Sequence, residues 1–249
     1  MRAAAIAVVG FGVLLAALAA FAPATLVDRR VAAATAGKLR LADAAGTIWR
    51  GTGTLTDAGN TWRMPVAWRT SATGLASGRL QIGLAPAGGA ASPRGTLDLR
   101  VGGGELRDLA VDIPAAALAA LLPSRSNVAL GGTVALASPD FGWAGERGTG
   151  VLNARWREAR LFAGGALADL GTVDVSLSAQ EQRLTGRIGN SGGDVHIDGS
   201  FNVADGVVSV DATVAPAPAA PPQIARALAA LGTPDGNGAV RVAWRGALR

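Results

Sequence analysis

The sequence has no cysteine and no tyrosine, and its single histidine is His196. Without cysteine the chain forms no disulfides, no thiolate zinc site and no cysteine nucleophile, so a disulfide-stapled fold is excluded. A Ser-His-Asp triad would depend on His196 alone, because imidazole is the usual general base of such triads. These absences argue against an enzyme.

Clusters of basic residues are also missing from the sequence. The chain carries 23 Lys and Arg against 18 Asp and Glu, a net charge of +5, and Lys38 is its one lysine. No basic run is interleaved with aromatics, which is the pattern of a nucleic-acid surface, so we expect no nucleic-acid partner. Hydrophobic residues make up 49% of the chain and charged residues 16%, which predicts a folded protein with a buried core.

A long uncharged segment begins the sequence. Residues 3–27 contain no charged side chain, and residues 3–22 as a helix would extend about 30 Å, the thickness of the bilayer hydrocarbon. The alternative is a cleaved signal peptide, because residues 17–19 (ALA) and 20–22 (AFA) offer small residues at cleavage-like spacing. The apolar stretch exceeds the usual signal-peptide core, and Pro23 follows the second of these sites. We therefore predict a membrane anchor at residues 1–27 and a second domain at residues 28–249.

The remainder of the chain alternates apolar and polar residues with a period of two, which is typical of half-buried strands. The alternating segments lie at residues 62–68, 80–84, 97–101, 109–113, 152–156, 173–177, 195–197, 208–214 and 240–244. A repeated Gly-(Thr/Ser)-apolar motif at irregular spacing argues against a propeller or solenoid. The predicted fold class is mainly β: an N-terminal transmembrane helix followed by a large, curved, glycine-rich antiparallel sheet with a few short helices.

Three helices are predicted in this domain. One lies in the segment 26–45 and ends near Gly37, and the other two begin with a proline suited to a first helical turn, at residues 114–122 and 222–231. Residues 215–222 (APAPAAPP) are expected to form a stiff connector. The segment 124–132 is a candidate boundary between two halves of the sheet.

Asp194, His196 and Asp198 form the best metal-like group in the chain. Their spacing on a strand projects all three side chains from one face. No fourth ligand is identifiable, and the solvent face of any strand shows the same alternation. We favour a solvated strand face, keep a metal-dependent enzyme as a third hypothesis, and assign no catalytic, cofactor-binding or metal residue.

Glycine and tryptophan supply the other candidate features. Residues 102–104 (GGG) and 145–150 (GERGTG) are glycine-rich but lack a phosphate-loop lysine, so both are predicted to be turns. Arginine directly follows tryptophan at residues 49–50, 68–69, 156–157 and 244–245. Core tryptophan beside outward arginine is the simple interpretation. The functional alternative is an apolar concave face that holds a lipid chain or a partner strand.

Several motifs, in order, resemble protein N of the bacterial type II secretion system. They cover nearly the whole chain after Pro23: residues 46–51 (GTIWRG), 66–69 (VAWR), 109–122, 170–173 (LGTV), 192–199 (GGDVHIDG), 231–238 (LGTPDGNG) and 244–246 (WRG). The resemblance implies an accessory, non-catalytic subunit without cofactors. It is expected in the inner membrane of a Gram-negative bacterium, as a single-pass protein with its bulk in the periplasm.

The resemblance also implies the partners. These are other type II secretion subunits, namely inner-membrane assembly proteins and the secretin, which serve the export of folded exoproteins. A more distant similarity to AsmA-like envelope proteins gives the alternative, a lipid-handling protein that uses an apolar concave sheet face.

Overall fold

The computed structural model describes residues 22–71, 73–87, 93–121, 128–145, 147–163, 166–204 and 206–247. Residues 1–21, which make up most of the predicted anchor, lie outside these ranges. Within the described ranges, no helix has both the length and the apolar character that crossing a bilayer requires. The anchor at residues 1–27 therefore stays a prediction.

The chain divides into two compact units, residues 1–91 and residues 92–249. In the first unit, helix α1 at Thr25–Ala34 precedes four strands that pair antiparallel in chain order. They are β1 at Leu39–Gly46, β2 at Arg50–Asp57, β3 at Arg63–Ser71 and β4 at Arg79–Pro86. A single 3-10 turn, Leu75–Ser77, lies between β3 and β4.

The described residues of the second unit form nine strands and two helices, and these strands also pair antiparallel in chain order. Helix α2 at Ala115–Leu121 follows β6, and helix α3 at Pro222–Leu231 follows β12. The strands are β5 at Arg94–Arg100, β6 at Gly103–Pro114, β7 at Val128–Ala144, β8 at Arg147–Ala163, β9 at Ala166–Glu181, β10 at Arg183–Ser191, β11 at Val195–Ala204, β12 at Val207–Pro216 and β13 at Val240–Ala247.

The mainly β prediction is confirmed, and each of the nine alternating segments contributes to a strand. All three predicted helices form: α1 ends at Ala34, shortly before Gly37, while α2 and α3 start at or directly after their prolines. The strands β1, β2, β7 and β10 carry weaker alternation. In β10, for example, Gly186 stands between Leu184 and Ile188 on the apolar side.

The expected division of the sheet at residues 124–132 is wrong. Residues 124–127 lie outside the described ranges, and residues 128–132 begin β7, which pairs with β6 on one side and β8 on the other. The two units instead separate between residues 91 and 92. Gly131 and Gly132 accommodate a register shift inside β7, so these glycines mark a bulge within a strand.

The core of the first unit forms between α1 and the sheet. Ala24, Leu41 and Trp68 are buried together, and Val27 of α1 packs against them. The Trp68 indole N–H donates to the carbonyl oxygens of residues 47 and 48, each at 3.2 Å. A side chain at Gly51 would place its Cβ 2.4 Å from the Trp68 ring, so glycine is required for this ring to lie on β2.

Helix α3 closes the main core of the second unit. Ile224 and Leu228 are 3% and 6% exposed, and they belong to one buried cluster with residues from four strands: Ala159, Leu170, Val173, Val195 and Val240. Burying two such aliphatic side chains stabilises the fold by about 3–6 kcal/mol in total.

Candidate functional site

The second unit presents an apolar sheet face. Paired residues of neighbouring antiparallel strands point to the same side of a sheet, and successive residues of one strand point to opposite sides. The register of β8 to β13 therefore aligns one residue from each strand into a continuous row. This row, called row 1, consists of Leu152, Leu177, Gly186, Phe201, Val210 and Trp244.

Two more rows complete this apolar face. Row 2 consists of Ala154, Val175, Ile188, Gly199, Ala212 and Val242, and row 3 of Trp156, Val173, Asn190, Ile197, Val214 and Val240. Asn190 is the one polar residue in the three rows. Its amide nitrogen donates to the Val195 carbonyl at 2.7 Å, and its amide oxygen accepts from the Ile197 N–H at 2.7 Å. Because these groups are paired within the sheet, they offer nothing polar to a ligand.

Helix α3 covers only part of the apolar face. Its residues Ile224 and Leu228 pack on row 3, and row 2 lies partly against the same cluster. The aliphatic and aromatic residues of row 1 do not belong to that cluster. Leu177, Phe201 and Val210 are half-buried and Trp244 is 55% exposed. Row 1 is thus a line of apolar side chains that α3 leaves open.

The opposite face of the same strands is polar. Two rows across β8 to β13 are composed mainly of hydroxyl, amide and charged side chains: Asn153, Ser176, Arg187, Ser200, Asp211 and Ala243 in one, and Val151, Ser178, Thr185, Asn202, Ser209 and Arg245 in the other. The Arg241 guanidinium donates to the Asp211 carboxylate through Nε at 2.9 Å. This hydrogen bond lowers the pKa of Asp211 and keeps the carboxyl ionised.

A groove of about 930 Å³ lies along these two polar rows. Its lining extends from Val151 on β8 to Arg245 on β13, and it also includes five row 1 residues: Leu177, Gly186, Phe201, Val210 and Trp244. The lining therefore combines hydroxyl, amide and arginine side chains, which can hydrogen-bond to a ligand, with apolar residues. The groove ends at β13, the last strand of the sheet.

The structure does not assemble the predicted Asp194, His196 and Asp198 group. His196 and Asp198 share the exposed polar side of β11, but Asp194 precedes that strand. Its carboxylate accepts the Asp169 N–H at 2.9 Å and so holds the turn before β11 against β9. Among the residues that the structure describes, no three His, Cys, Asp or Glu side chains form a cluster able to hold a metal ion.

The two glycine-rich segments were predicted to be turns, and this holds only at Gly102 and Gly145, because Gly103 and Gly104 begin β6 and residues 147–150 begin β8. Gly102 connects β5 to β6 with a φ of +82°, and Gly145 follows β7 with a φ of +59°. The Gly145 N–H donates to the Gly102 carbonyl at 2.8 Å. This backbone hydrogen bond joins the two turns, which fits a structural role.

The interpretation of tryptophan as core beside outward arginine holds for some positions and fails for one. Trp62 and Trp68 are 7% and 8% exposed, and Trp156 is half-buried with its indole N–H bonded to the Gly131 carbonyl at 2.8 Å. The prediction of a core position is wrong for Trp244, because this side chain is 55% exposed on the edge strand. The arginines at positions 50, 69, 157 and 245, each directly after a tryptophan, are all exposed.

Row 1 is the feature that the sequence did not reveal. The apolar alternation of β9, β12 and β13 was visible, but which residue of each strand stands beside which depends on the register. The contribution of β10 was missed because Gly186 leaves a gap in the alternation, a gap that the Phe201 ring fills. A glycine opposite an aromatic in the next strand is the signal that could have located it.

Comparison with known proteins identifies one family. The family model described as type II secretion system (T2SS), protein N, matches residues 37–243. No curated protein matches the chain, and no solved structure matches it.

Proposed function

This chain belongs to the type II secretion system (T2SS), protein N, family, and from that premise we propose that it is an accessory, non-catalytic subunit that supports assembly of the system or export of folded exoproteins. The observation that carries the proposal is the extent of the match, which runs from the turn before β1 into β13. Because it includes strands of both compact units, it supports a role for the whole β-rich part of the chain in type II secretion.

The proposed location is the inner membrane. The uncharged residues 3–27 anchor the chain, and residues 28–249 lie in the periplasm. Fusing alkaline phosphatase, which is active only after export, to the carboxyl terminus tests this topology. We expect an active fusion in the membrane fraction, and a green fluorescent protein fusion serves as the reciprocal control. An inactive phosphatase fusion together with a fluorescent one would place the β units in the cytoplasm and overturn the proposed location.

The proposed partners are other subunits of the secretion system, namely inner-membrane assembly proteins and the secretin. The structure offers two broad sheet faces and an edge strand as contact surfaces, which are common modes of protein recognition. The test is crosslinking of the tagged full-length protein in its native membrane, followed by mass spectrometry of the proteins and lipids in the adducts. Adducts with secretion subunits are the expected result. Lipid adducts without any secretion subunit would overturn the proposal.

A second candidate function rests on row 1. An apolar line across six strands that α3 leaves open can hold an acyl chain, because burying apolar surface is favourable for both partners. Under this alternative the protein is an envelope lipid-handling protein of AsmA-like type.

Two matched variants distinguish the lipid alternative. Val210→Glu places a carboxylate in row 1, whereas Ser209→Glu places the same group on the polar face of the same strand. If the apolar face holds lipid, phospholipid or lipopolysaccharide copurifies with the unmodified chain and with Ser209→Glu but is lost from Val210→Glu. Equal lipid content in all three proteins would eliminate row 1 as the lipid site.

A further inference from the structure

The first strand of the chain has its outer edge capped by neighbouring residues. Among the strands that the structure describes, β1 pairs with β2 alone, and an unpaired edge is a template for another strand. The residues around α1 occupy these edge groups. The Asp28 carboxylate accepts the Leu41 N–H at 2.8 Å, the Thr35 hydroxyl accepts the Leu39 N–H at 3.1 Å, and the Ala24 N–H donates to the Gly46 carbonyl at 3.1 Å.

The last strand has no such cover among the described residues. β13 pairs with β12 along Val240–Ala247, and in the part of the chain that the structure describes no backbone or side-chain group bonds to its outer edge. α3 packs on the sheet face at Val240, the first residue of the strand. β13 also lacks the proline and lysine that commonly protect edge strands. The described residues therefore leave the eight-residue edge of β13 open.

The side chains of β13 specify what can pair with it. On the apolar face, Trp244 is 55% exposed and its ring lies over Gly246, so it offers a flat aromatic surface to an apolar residue of an added strand. On the polar face, Arg241 is neutralised by Asp211. Arg245 is exposed, stands opposite Ser209 of β12, and forms no ion pair with any described residue. An added strand that carries a carboxylate opposite Arg245 would complete this pairing.

A second copy of β13 is a poor partner for this edge because of the positive charges of its own arginines. Antiparallel self-pairing centred on Ala243 would place Arg241 opposite Arg245 of the other copy, and pairing centred on Arg245 would place the two Arg245 residues opposite each other. Registers centred on Val242 or Trp244 avoid these contacts but place Arg245 opposite an alanine, so no register gives it a carboxylate. Like charges directly across an antiparallel pair are destabilising. The charge pattern thus favours a different chain with acidic residues.

We propose that β13 is a docking edge for strand addition. The occupant is an extended segment of another secretion-system subunit that alternates apolar residues, which contact Trp244, with at least one Asp or Glu, which faces Arg245. This inference rests on the proposed function and specifies where the partner binds. Main-chain hydrogen bonds supply affinity in this mode, and the alternating side chains supply specificity.

The test uses photocrosslinking in the native membrane with the full-length protein. A p-benzoylphenylalanine replaces Trp244 on β13 in one strain and Ala45, on the capped strand β1, in the control strain. We expect an adduct between position 244 and a secretion subunit, and none from position 45. A tryptic fragment with alternating apolar and acidic residues at the crosslink identifies the added strand.

Charge reversal tests the recognition of Arg245. Arg245→Glu is expected to lower the crosslink yield about three- to tenfold, because it replaces an attractive cross-strand pair with a repulsive one. Arg183→Glu is the control: it makes the same change at an exposed residue of β10, a strand that is paired on both sides. It should leave the yield unchanged. An equal loss in both variants, or no loss in either, would overturn the proposed pairing.

Two proline variants test the backbone edge. In an antiparallel pair, the N–H groups of neighbouring residues point to opposite sides of the strand, so one of Val242→Pro and Ala243→Pro removes a bond to β12 and the other removes only an edge donor. The variant that keeps the unfolding midpoint of the unmodified chain is the one that has lost only an edge donor. In that variant we expect the crosslink yield to fall by about tenfold or more. A wild-type yield in that variant would refute strand addition.

The remaining outcomes separate the inference from the proposed function. Adducts with secretion subunits from other surface positions but none from position 244 overturn the docking edge and leave the proposed function standing. Adducts of the chain with itself at position 244 overturn the choice of partner. Lipid alone at position 244 overturns the docking edge in favour of the apolar-face lipid site, and absence of secretion subunits from every position refutes the proposed function itself.

Discussion

The guanidinium of Arg40 binds the Asp28 carboxylate in bidentate fashion, through Nε at 2.9 Å and Nη2 at 2.7 Å. The same carboxylate accepts the Leu41 N–H, so one side chain of α1 holds both the side chain and the backbone of β1. The hydrogen bond from Arg40, followed by that from Leu41, lowers the pKa of Asp28 to about 2. Asp28 thus couples the start of the described chain to the edge of the first unit.

Replacing Asp28 by asparagine should change how the free energy of unfolding depends on pH. Asp28→Asn is expected to lower the free energy of unfolding at neutral pH by about 1 kcal/mol, since Arg40 is largely exposed and the pair is screened. The folded pKa of Asp28 lies below its ordinary value of 3.8, so its contribution is present above that value and is lost as the pH falls toward about 2. The difference between the two proteins should therefore shrink over this interval.

Denaturant unfolding of the full-length protein in detergent, followed by tryptophan fluorescence at several pH values, measures this effect. Asp43→Asn is the matched control, because the Asp43–Arg63 pair is exposed on both sides. This control should change the unfolding free energy by less than about 0.5 kcal/mol. A constant difference between the unmodified chain and Asp28→Asn down to pH 2 would contradict the role of Asp28.

The position at which the amino-terminal segment is removed should determine the stability of the first unit. A chain that begins at residue 22 keeps buried Ala24, Val27 and the bond from the Ile48 N–H to the Ala22 carbonyl at 2.9 Å. A chain that begins at residue 28 loses all three and is expected to unfold with about 2–4 kcal/mol less free energy. Calorimetry on the two truncated chains compares them, and coincident transitions would show that residues 22–27 add nothing to the core.

The contact between Gly186 and Phe201 should make row 1 sensitive to a single methyl group. A Cβ at Gly186 would lie 2.0 Å from the Phe201 ring, whereas one at Gly189 on the same strand has its nearest neighbour at 3.6 Å. Gly186→Ala is expected to destabilise the fold by about 1–3 kcal/mol by displacing the ring. Gly189→Ala should be neutral or slightly stabilising, because alanine restricts the unfolded chain. Equal unfolding midpoints for the two variants would disprove the close contact.

Helix α3 should contribute stability through its buried side alone. Leu228→Ala removes a side chain that is 6% exposed in the cluster with Val173, Val195 and Val240, and we expect a loss of about 2–4 kcal/mol. Arg226 lies on the exposed side of the same helix, so Arg226→Ala should change stability by less than about 0.5 kcal/mol. Urea titration of both variants measures the difference. A comparable loss in the two would mean that helix propensity, rather than packing, dominates.

The sequence by itself determined the class of structure and the local elements with strong signals. Strict apolar alternation, as in β12 and β13, requires an extended chain with one side buried. Proline at the start of α3 and glycine directly after it delimit that helix. The motifs around Trp68, Gly193 and Trp244 were sufficient to indicate the family. Asp194 shows the limit, because alternation placed it on a strand, whereas a hydrogen bond to Asp169 holds it in a turn.

The tertiary structure alone decided which surfaces are available. Leu177, Phe201 and Trp244 are far apart in the chain and join one row only through the register of the intervening hairpins. A shift of one residue would have moved each to the other face. The same applies to edges: β1 and β13 are both terminal strands, but α1 folds back to cap β1 and nothing described covers β13. Alternation in the sequence indicates which side of a strand is apolar. The neighbours of that strand are determined by long-range pairing, which no local sequence pattern predicts.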